Sequence, residues 1–135
     1  MSLEIEQRER EGIVILDLKG RITMGDEVTN FRALMQKLAV SAPDPKVILN
    51  LQHVDYIDST GLGAMVFGST TIRNKGGAVK LLRLNRRNLE LLVATKLTVI
   101  FEIFADETDA VNSFFPDREI KQFDILEFVK TQKQS

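Results

Sequence analysis

The chain has 135 residues, 18 basic against 19 acidic side chains for a net charge of −1, and no cysteine. This length fits one domain with a hydrophobic core, and a net charge near zero gives no general attraction to nucleic acid or anionic membranes. The lack of cysteine excludes disulfides, thiolate zinc sites and a cysteine nucleophile. No apolar run approaches the roughly 18 residues of a membrane span, and the N-terminus has no signal-peptide core, so we expect a cytoplasmic protein.

The first half of the chain alternates apolar strands with one amphipathic helix. Leu3 and Ile5 alternate with glutamates, which is typical of a half-exposed edge strand, whereas the next run is apolar enough to be buried on both faces. Apolar residues at intervals of three and four predict a helix that two prolines end. The predicted elements are a strand at 3–6, a strand at 13–18, a helix that begins at Gly25 or Asp26 and stops at 41–45, and a strand at 47–54.

The second half continues the same alternation. Gly76 and Gly77 indicate a helix stop, and Asn85 and Asp106 are favourable N-caps. Pro116 ends the last helix, because proline cannot continue one. The predicted elements are a helix from Ser59 to about Asn74, a strand at 78–84, a helix that holds Leu89, Leu92 and Val93, a strand at 99–104, and a helix from Asp106 through Phe115.

Strands that alternate with helices indicate βαβ units and therefore an α/β fold. We expect a mixed, mostly parallel sheet of four to five strands with about four α-helices, in which the crossovers are right-handed. The first strand is reached by a tight turn and is expected to pair antiparallel. No linker divides the chain, so residues 1–116 are assigned to one domain.

The C-terminal extension at 117–135 differs from the rest of the chain. Its apolar residues suit either one helix face or a strand, and residues 130–135 are polar and predicted to fray. Apolar side chains of this number would not stay in water, so we expect the extension to pack on the domain or at a homodimer contact. The residues concerned are Ile120, Phe123, Ile125, Leu126, Phe128 and Val129.

A short polar block separates the third strand from the second helix, and it reads Asp58, Ser59, Thr60, Gly61, Leu62, Gly63. Backbone N–H groups and the positive end of the helix dipole converge at such a junction. A phosphate on Ser59 would be tolerated there and would present about two negative charges to a partner. Local pattern alone favours a simpler role, in which Asp58, Ser59 or Thr60 caps the helix. The residues by themselves leave both roles open.

Enzymatic and metal-binding interpretations are weaker. A hydrolase nucleophile elbow needs glycine two residues before the serine, where this chain has Ile57, and His53 is the only histidine. One histidine without cysteine argues against a transition-metal site, and Asp55 and Asp58 fit solvated loop carboxylates. We therefore predict no catalytic residue, no metal and no cofactor.

Two further patterns point away from nucleotides and nucleic acids. The segment 61–63 lacks the third glycine of a dinucleotide loop and the Gly-Lys-Ser/Thr of a phosphate-binding loop. Basic residues near the fourth strand are predicted to form a cluster that is either a solvated face or a contact for an acidic partner. Because no aromatic residues are interleaved with them, single-stranded nucleic acid is a poor second. The residues of this cluster are Arg73, Lys75, Arg83, Arg86 and Arg87.

The polar block and its flanks resemble the STAS family, and within it the bacterial anti-sigma factor antagonists. The resemblance consists of an apolar strand at 47–51, the run 54–63 that contains the polar block, Gly76-Gly77 before the next strand, the Asn85 turn and the strand before Asp106. It covers about residues 3–115 and implies the STAS fold. The extension at 117–135 goes beyond the usual end of a minimal member.

The resemblance also implies a function and a set of site residues. Ser59 would be phosphorylated by a partner serine kinase that is also an anti-sigma factor with a histidine-kinase-like ATP fold. The unphosphorylated protein would bind that kinase through residues 58–63 and so release a sigma factor, and a PP2C-type phosphatase would restore it. Such a protein is a binding module and a substrate rather than an enzyme. The alternative is a STAS scaffold or ligand-binding signalling module that does not act on a sigma factor.

Overall fold

The computed structural model describes residues 3–120 and Ile125. Five strands and four α-helices alternate in this part of the chain, so the α/β class is confirmed. No helix in this part is long and apolar enough to cross a membrane. In chain order the elements are β1 (Leu3–Arg10), β2 (Ile13–Ile22), α1 (Asp26–Ala39), β3 (Lys46–Ile57), α2 (Ser59–Arg73), β4 (Ala78–Leu82), α3 (Arg86–Ala94), a 3-10 helix (Leu97–Val99), β5 (Ile103–Phe104) and α4 (Glu107–Asn112).

The strands form one mixed sheet in which spatial order equals sequence order, β1-β2-β3-β4-β5. β1 is antiparallel to β2, as the tight turn between them predicts, and the remaining neighbours are parallel. Every crossover therefore moves in the same direction across the sheet. Right-handed crossovers of this kind place all their connecting helices on one face.

That helical face contains the main hydrophobic core. Phe31 of α1, Met65 of α2 and Leu89 of α3 are fully buried and belong to the same cluster as Leu49 of β3. The period of three and four in α1 and the alternation along β3 aim these side chains at one another. The carboxyl ends of the parallel strands all lie along one side of the sheet, which we call its carboxyl edge. The starts of α2 and α3 lie at this carboxyl edge.

The opposite face of the sheet has a smaller cluster under α4. Ile15 of β2, Ile48 of β3 and Phe104 of β5 are buried there against Val111 of α4. β2 and β3 are thus buried on both faces where α4 covers them, which is the reason for their continuous apolar runs.

An ion-pair network fastens α4 to the sheet. The carboxylate of Glu107 accepts hydrogen bonds from Arg8 at 2.6 Å and from Arg10 at 2.9 Å, and Arg8 also donates to Asp17 at 2.6 Å. These bonds, that of Arg8 foremost, lower the pKa of Glu107 to about 2. The network therefore stays ionised at any pH near neutrality and ties the first turn of α4 to the edge strand.

Two strands are shorter than the sequence predicts. The strand predicted at 78–84 ends at Leu82, because Arg83 adopts a left-handed backbone with φ of 58°. The strand predicted at 99–104 comprises only Ile103 and Phe104. Lys96, with φ of 62°, turns the chain into the 3-10 helix, and Val99 is 86% exposed instead of paired.

Other boundaries also differ from the prediction: β1 continues to Arg10 and β2 to Ile22, where the sequence predicts strands at 3–6 and 13–18. α4 ends at Asn112 and not at Phe115, although Phe114 and Phe115 still pack against the smaller cluster. β3 continues to Ile57 and does not stop at residue 54. This longer strand delivers the chain directly to Asp58.

Most of the C-terminal extension lies outside the described residues. The predictions for Phe123, Leu126, Phe128 and Val129 fall there. Of the apolar set, Ile120 packs against the smaller cluster under α4 and Ile125 against the main core, and both line one pocket beside residues 98–104.

Candidate partner-binding and phosphorylation site

The polar block lies at the carboxyl edge of the sheet, between β3 and α2. Asp58 is the N-cap in extended backbone, and Ser59 is the first residue of α2. The strand-to-helix junction predicted from the sequence is therefore confirmed. It places the start of α2 in the centre of the sheet edge, because β3 is the middle strand.

Of the three candidate caps, Asp58 is the one that caps the helix. One carboxylate oxygen accepts a hydrogen bond from the N–H of Gly61 at 2.7 Å, and the other accepts from the N–H of Met24 at 3.0 Å. Hydrogen bonding by backbone N–H groups, that of Gly61 above all, lowers the pKa of Asp58. Asp58 is thus a fixed anion that joins α2 to the loop after β2.

The first glycine of the block allows α2 to touch β2. A Cβ on Gly61 would lie 1.8 Å from the carbonyl oxygen of Ile22, which no side chain permits. The same carbonyl accepts the N–H of Asp58 at 3.2 Å. The start of α2 is therefore held directly against the end of β2, and a glycine is required at position 61.

The second glycine of the block is not under the same constraint. A Cβ on Gly63 would lie 3.6 Å from a guanidinium nitrogen of Arg32, which is ordinary van der Waals contact. The two glycines of the Gly-Leu-Gly segment thus have different roles, and only Gly61 is required by the packing.

The side chain of Ser59 is exposed to solvent, whereas that of Thr60 is half-buried. Among the described residues the Ser59 hydroxyl takes part in no hydrogen bond, because Asp58 already serves as the cap. A serine at this position is free to react and is not needed to complete the helix.

Ser59 borders a groove of about 470 Å³ that lies between the start of α2 and the length of α3. α3 is held against β3 by two amide side chains: Asn85 and Asn88 donate hydrogen bonds to the carbonyl of Val54 at 3.2 Å and 3.0 Å. The walls of the groove are partly apolar and carry one cation among them. The lining residues are Tyr56, Ile57, Asp58, Ser59, Leu62, Arg87, Asn88, Glu90, Leu91 and Thr95.

The sequence could not have revealed this groove. Its two walls are 28 residues apart when counted from Ser59 to Arg87. Met24 and Ile22, which bond to Asp58, are still more distant in the chain and lie in a segment without any motif. Only the N-cap preference of Asn85 is a local signal, and Asn85 does cap α3 by accepting the N–H of Asn88 at 2.8 Å.

The predicted basic cluster does not form. Arg73 and Lys75 precede β4 and lie at its amino-terminal end, whereas Arg83 follows β4 at the carboxyl edge. Arg86 and Arg87 belong to the start of α3 on that same edge. The prediction was wrong because residues close in sequence were separated by the length of a strand.

The residues of the hydrolase alternative do not come together in one site. His53 is exposed on β3 and does not line the groove beside Ser59. The carboxylate next to Ser59 is occupied by backbone N–H groups, as described above. The geometry thus presents an exposed serine and a groove, which is an arrangement for contact with a partner.

Comparison with known proteins identifies the class. The STAS domain family matches residues 4–110, so the chain belongs to that family. The unphosphorylated form of the anti-sigma factor antagonist SpoIIAA superposes with a TM-score of 0.72 at 17% identity, over 87% of this chain and 100% of that one. The mixed sheet with its four helices is therefore the STAS fold.

Two curated relatives are similar to the chain in sequence over most of its length. The anti-sigma-B factor antagonist of Bacillus subtilis (strain 168) is 28% identical over 111 residues, which cover 82% of this chain and 99% of the relative. The anti-sigma F factor antagonist of Paenibacillus polymyxa is 27% identical over 113 residues, with 82% and 94% covered. Both relatives are named as antagonists of an anti-sigma factor.

Proposed function

We propose that this protein is an anti-sigma factor antagonist controlled by phosphorylation of Ser59. The observation that carries the proposal is the exposed Ser59 hydroxyl, free of hydrogen bonds within residues 3–120, at the start of α2. Support comes from the two curated relatives, which carry that name, and from the solved relative described as unphosphorylated. The partner would be a cytoplasmic serine kinase that is itself an anti-sigma factor.

The chemistry is a phosphoryl transfer in which this protein is the acceptor. The oxygen of Ser59 forms a bond to the γ-phosphorus of ATP, the bond between that phosphorus and the β,γ-bridging oxygen breaks, and ADP leaves. The hydroxyl proton passes to a base of the kinase. Transfer of this kind depends chiefly on positioning, and the closure of α2 on β2 at Gly61 supplies a rigid acceptor.

The groove beside Ser59 supplies the contact surface for the kinase. Leu62 and Leu91 give it apolar walls, and Tyr56 is 41% exposed at its rim. Aromatic and aliphatic side chains around one recessed site are the usual anchors of a protein interface. In this arrangement residues 58–63 and the first turns of α3 face the same partner.

Phosphorylation would then end the interaction that permits it. A phosphate on Ser59 adds about two negative charges at the centre of the contact. Burying charge that no group of the partner pairs is costly, and a loss of about 1.4 kcal/mol already weakens binding tenfold. A PP2C-type phosphatase would return the protein to its binding form. The protein itself needs no catalytic group for this cycle.

The acceptor is tested by labelling two neighbouring variants with the partner kinase and ATP. Ser59→Ala should abolish incorporation of phosphate, whereas Thr60→Ala should leave it at the rate of the unmodified protein. Mass spectrometry of the labelled peptide locates the phosphate. Normal labelling of Ser59→Ala would refute the assignment.

Binding is tested with the phosphorylated protein and with Ser59→Asp. Both should fold normally, because negative charge is accepted at a helix N-terminus. Both should bind the kinase at least roughly tenfold more weakly than the unmodified protein. Isothermal titration calorimetry measures the difference, and equal affinity of the phosphorylated form would show that the switch does not operate.

A further inference from the structure

Arg87 stands out among the residues that line the Ser59 groove. It is the one cation of that lining, and it is exposed. Its guanidinium lies over the ring of Tyr56, 5.3 Å from the centroid, and within the described residues it forms no ion pair and no hydrogen bond. The neighbouring Arg86, in contrast, is bonded to Glu90 at 3.2 Å.

The backbone that carries Arg87 has a fixed position relative to Ser59. Arg87 is the second residue of α3, between the cap Asn85 and the buried Asn88. Both amides bond to the carbonyl of Val54 on β3, and β3 runs from there to the Ser59 junction. The backbone of Arg87 is therefore held in place on a wall of the groove that Ser59 also lines, while the guanidinium donors are free to turn toward Ser59.

We propose that Arg87 pairs with the phosphate on Ser59 and leaves the ring of Tyr56 when it does so. An exposed contact between a cation and an aromatic ring is weak, whereas a guanidinium forms paired, charge-assisted hydrogen bonds with a phosphate. The competing carboxylates in the groove are Asp58, which is held by backbone N–H groups, and Glu90, which is held by Arg86. The natural source of the phosphate rests on the function proposed above.

This pairing would give the phosphorylated protein a different groove. The cation moves to the α2 side, the ring of Tyr56 is uncovered, and part of the phosphate charge is compensated within the protein. A partner that docks on the unmodified groove would then meet a phosphate, a displaced arginine and an open ring in place of a hydroxyl and a covered ring. Arg87 is in this sense a positioning residue for the phosphate.

The experiment uses the full chain with phosphoserine encoded at position 59, so that no kinase is needed. A ³¹P NMR titration measures the second pKa of the phosphate, which is about 6 in a free phosphoserine. A nearby guanidinium favours the dianion, so this pKa should be roughly 0.5 unit lower in the parent than in Arg87→Gln. Arg86→Gln is the matched control and should titrate like the parent.

Tyr56 provides a second, independent readout. The chain has one tyrosine and no tryptophan, so its intrinsic fluorescence reports on Tyr56 alone. Encoding phosphoserine at position 59 should change the emission and the ring-proton shifts of Tyr56 in the parent and in Arg86→Gln. In Arg87→Gln the ring is already free of the guanidinium, and phosphoserine should change little.

The outcomes separate the two proposals. Equal phosphate pKa values in the parent, Arg86→Gln and Arg87→Gln, with an unchanged Tyr56 signal, would overturn the role of Arg87 whatever kinase exists. A shift restricted to Arg87→Gln supports the role even if no kinase is found to label Ser59. In that case the phosphorylation proposal fails on its own test, and Arg87 remains a residue able to bind a phosphate at this position.

Discussion

α2 and α3 begin at the same edge of the sheet, each after a parallel strand and each behind a cap in extended backbone. Asp58 accepts the N–H of Gly61 at 2.7 Å, and Asn85 accepts the N–H of Asn88 at 2.8 Å. The two helix starts therefore have the same backbone geometry. They differ in the side chains that follow the cap.

Those side chains give the two helix starts opposite electrostatic preferences. The first turn of α2 begins with the small hydroxyls of Ser59 and Thr60, and it has no acidic residue. The first turn of α3 begins with Arg86 and Arg87, whose positive charges are unfavourable at the positive end of their own helix dipole. One helix start can thus take on a negative group, and the other supplies a cation across the groove. Shared geometry fixes the place of the site, and the side chains decide its chemistry.

We expect the largest loss of stability from a substitution at Gly61, in the first turn of α2. Gly61→Ala puts a methyl group 1.8 Å from the Ile22 carbonyl oxygen, so α2 must separate from β2. We expect a loss of about 3 kcal/mol or more in the free energy of unfolding, measured in urea. Gly63→Ala is the control and should cost nothing measurable, because its methyl group fits at 3.6 Å from Arg32. Equal stability of both variants would disprove the close approach.

Removing the C-terminal extension tests whether the two helix starts are independent of it. We propose that 117–135 packs on the domain, because Ile120 and Ile125 contact its two hydrophobic clusters and line one pocket. Truncation after Pro116 should lower the free energy of unfolding by roughly 2 kcal/mol or dissociate a dimer, yet leave phosphorylation of Ser59 unchanged. Deletion of 131–135 is the control. A truncated chain with unaltered melting temperature and oligomeric state would contradict this packing.

A smaller effect compares the two caps directly. Asp58→Ala removes the acceptor of the Gly61 and Met24 N–H groups, and Asn85→Ala removes the acceptor of the Asn88 N–H together with a donor to the Val54 carbonyl. Each variant should destabilise by about 1 kcal/mol near neutral pH. The stability losses of the two variants should differ at acid pH. The pKa of Asp58 is lowered in the folded state, so its contribution is complete above the unfolded value near 3.8 and is lost as pH falls through the folded value.

The difference between the parent and Asp58→Ala should therefore shrink below about pH 4. Asn85 does not titrate, so the difference between the parent and Asn85→Ala should stay constant over the same range. Urea melts of the three proteins between pH 2 and pH 7 provide the measurement. A constant cost for Asp58→Ala would mean that its carboxylate contributes no charge to the cap.

The sequence predicted the features that depend only on neighbouring residues, namely the helix caps and the strand-to-helix junction. The caps at Asn85 and Asp106 and the junction at Ser59 follow from residue preferences within a few positions, and the structure confirms them. Asp58 also accepts a hydrogen bond from the N–H of Met24, which is 34 residues away and belongs to no motif. That contact could not be read from sequence.

The missed boundaries have a similar cause. Arg83 and Lys96 adopt left-handed backbone without being glycine. Arg83 ends β4 earlier than the apolar pattern indicates, and Lys96 turns the chain into the 3-10 helix, so β5 begins only at Ile103. Residues other than glycine rarely adopt this conformation, so an apolar pattern does not predict it. The basic cluster failed because sequence proximity was taken for spatial proximity across β4.

Strand order that equals sequence order allows this sheet to grow from one end while the ribosome is still at work. Each new strand pairs with the one made just before it, so no early strand must wait for a distant partner. The contact between Gly61 and Ile22 needs only β2, β3 and the first turn of α2. We expect Ser59 to reach its final geometry on the nascent chain before β4 emerges, whereas the groove beside it forms only when α3 is added.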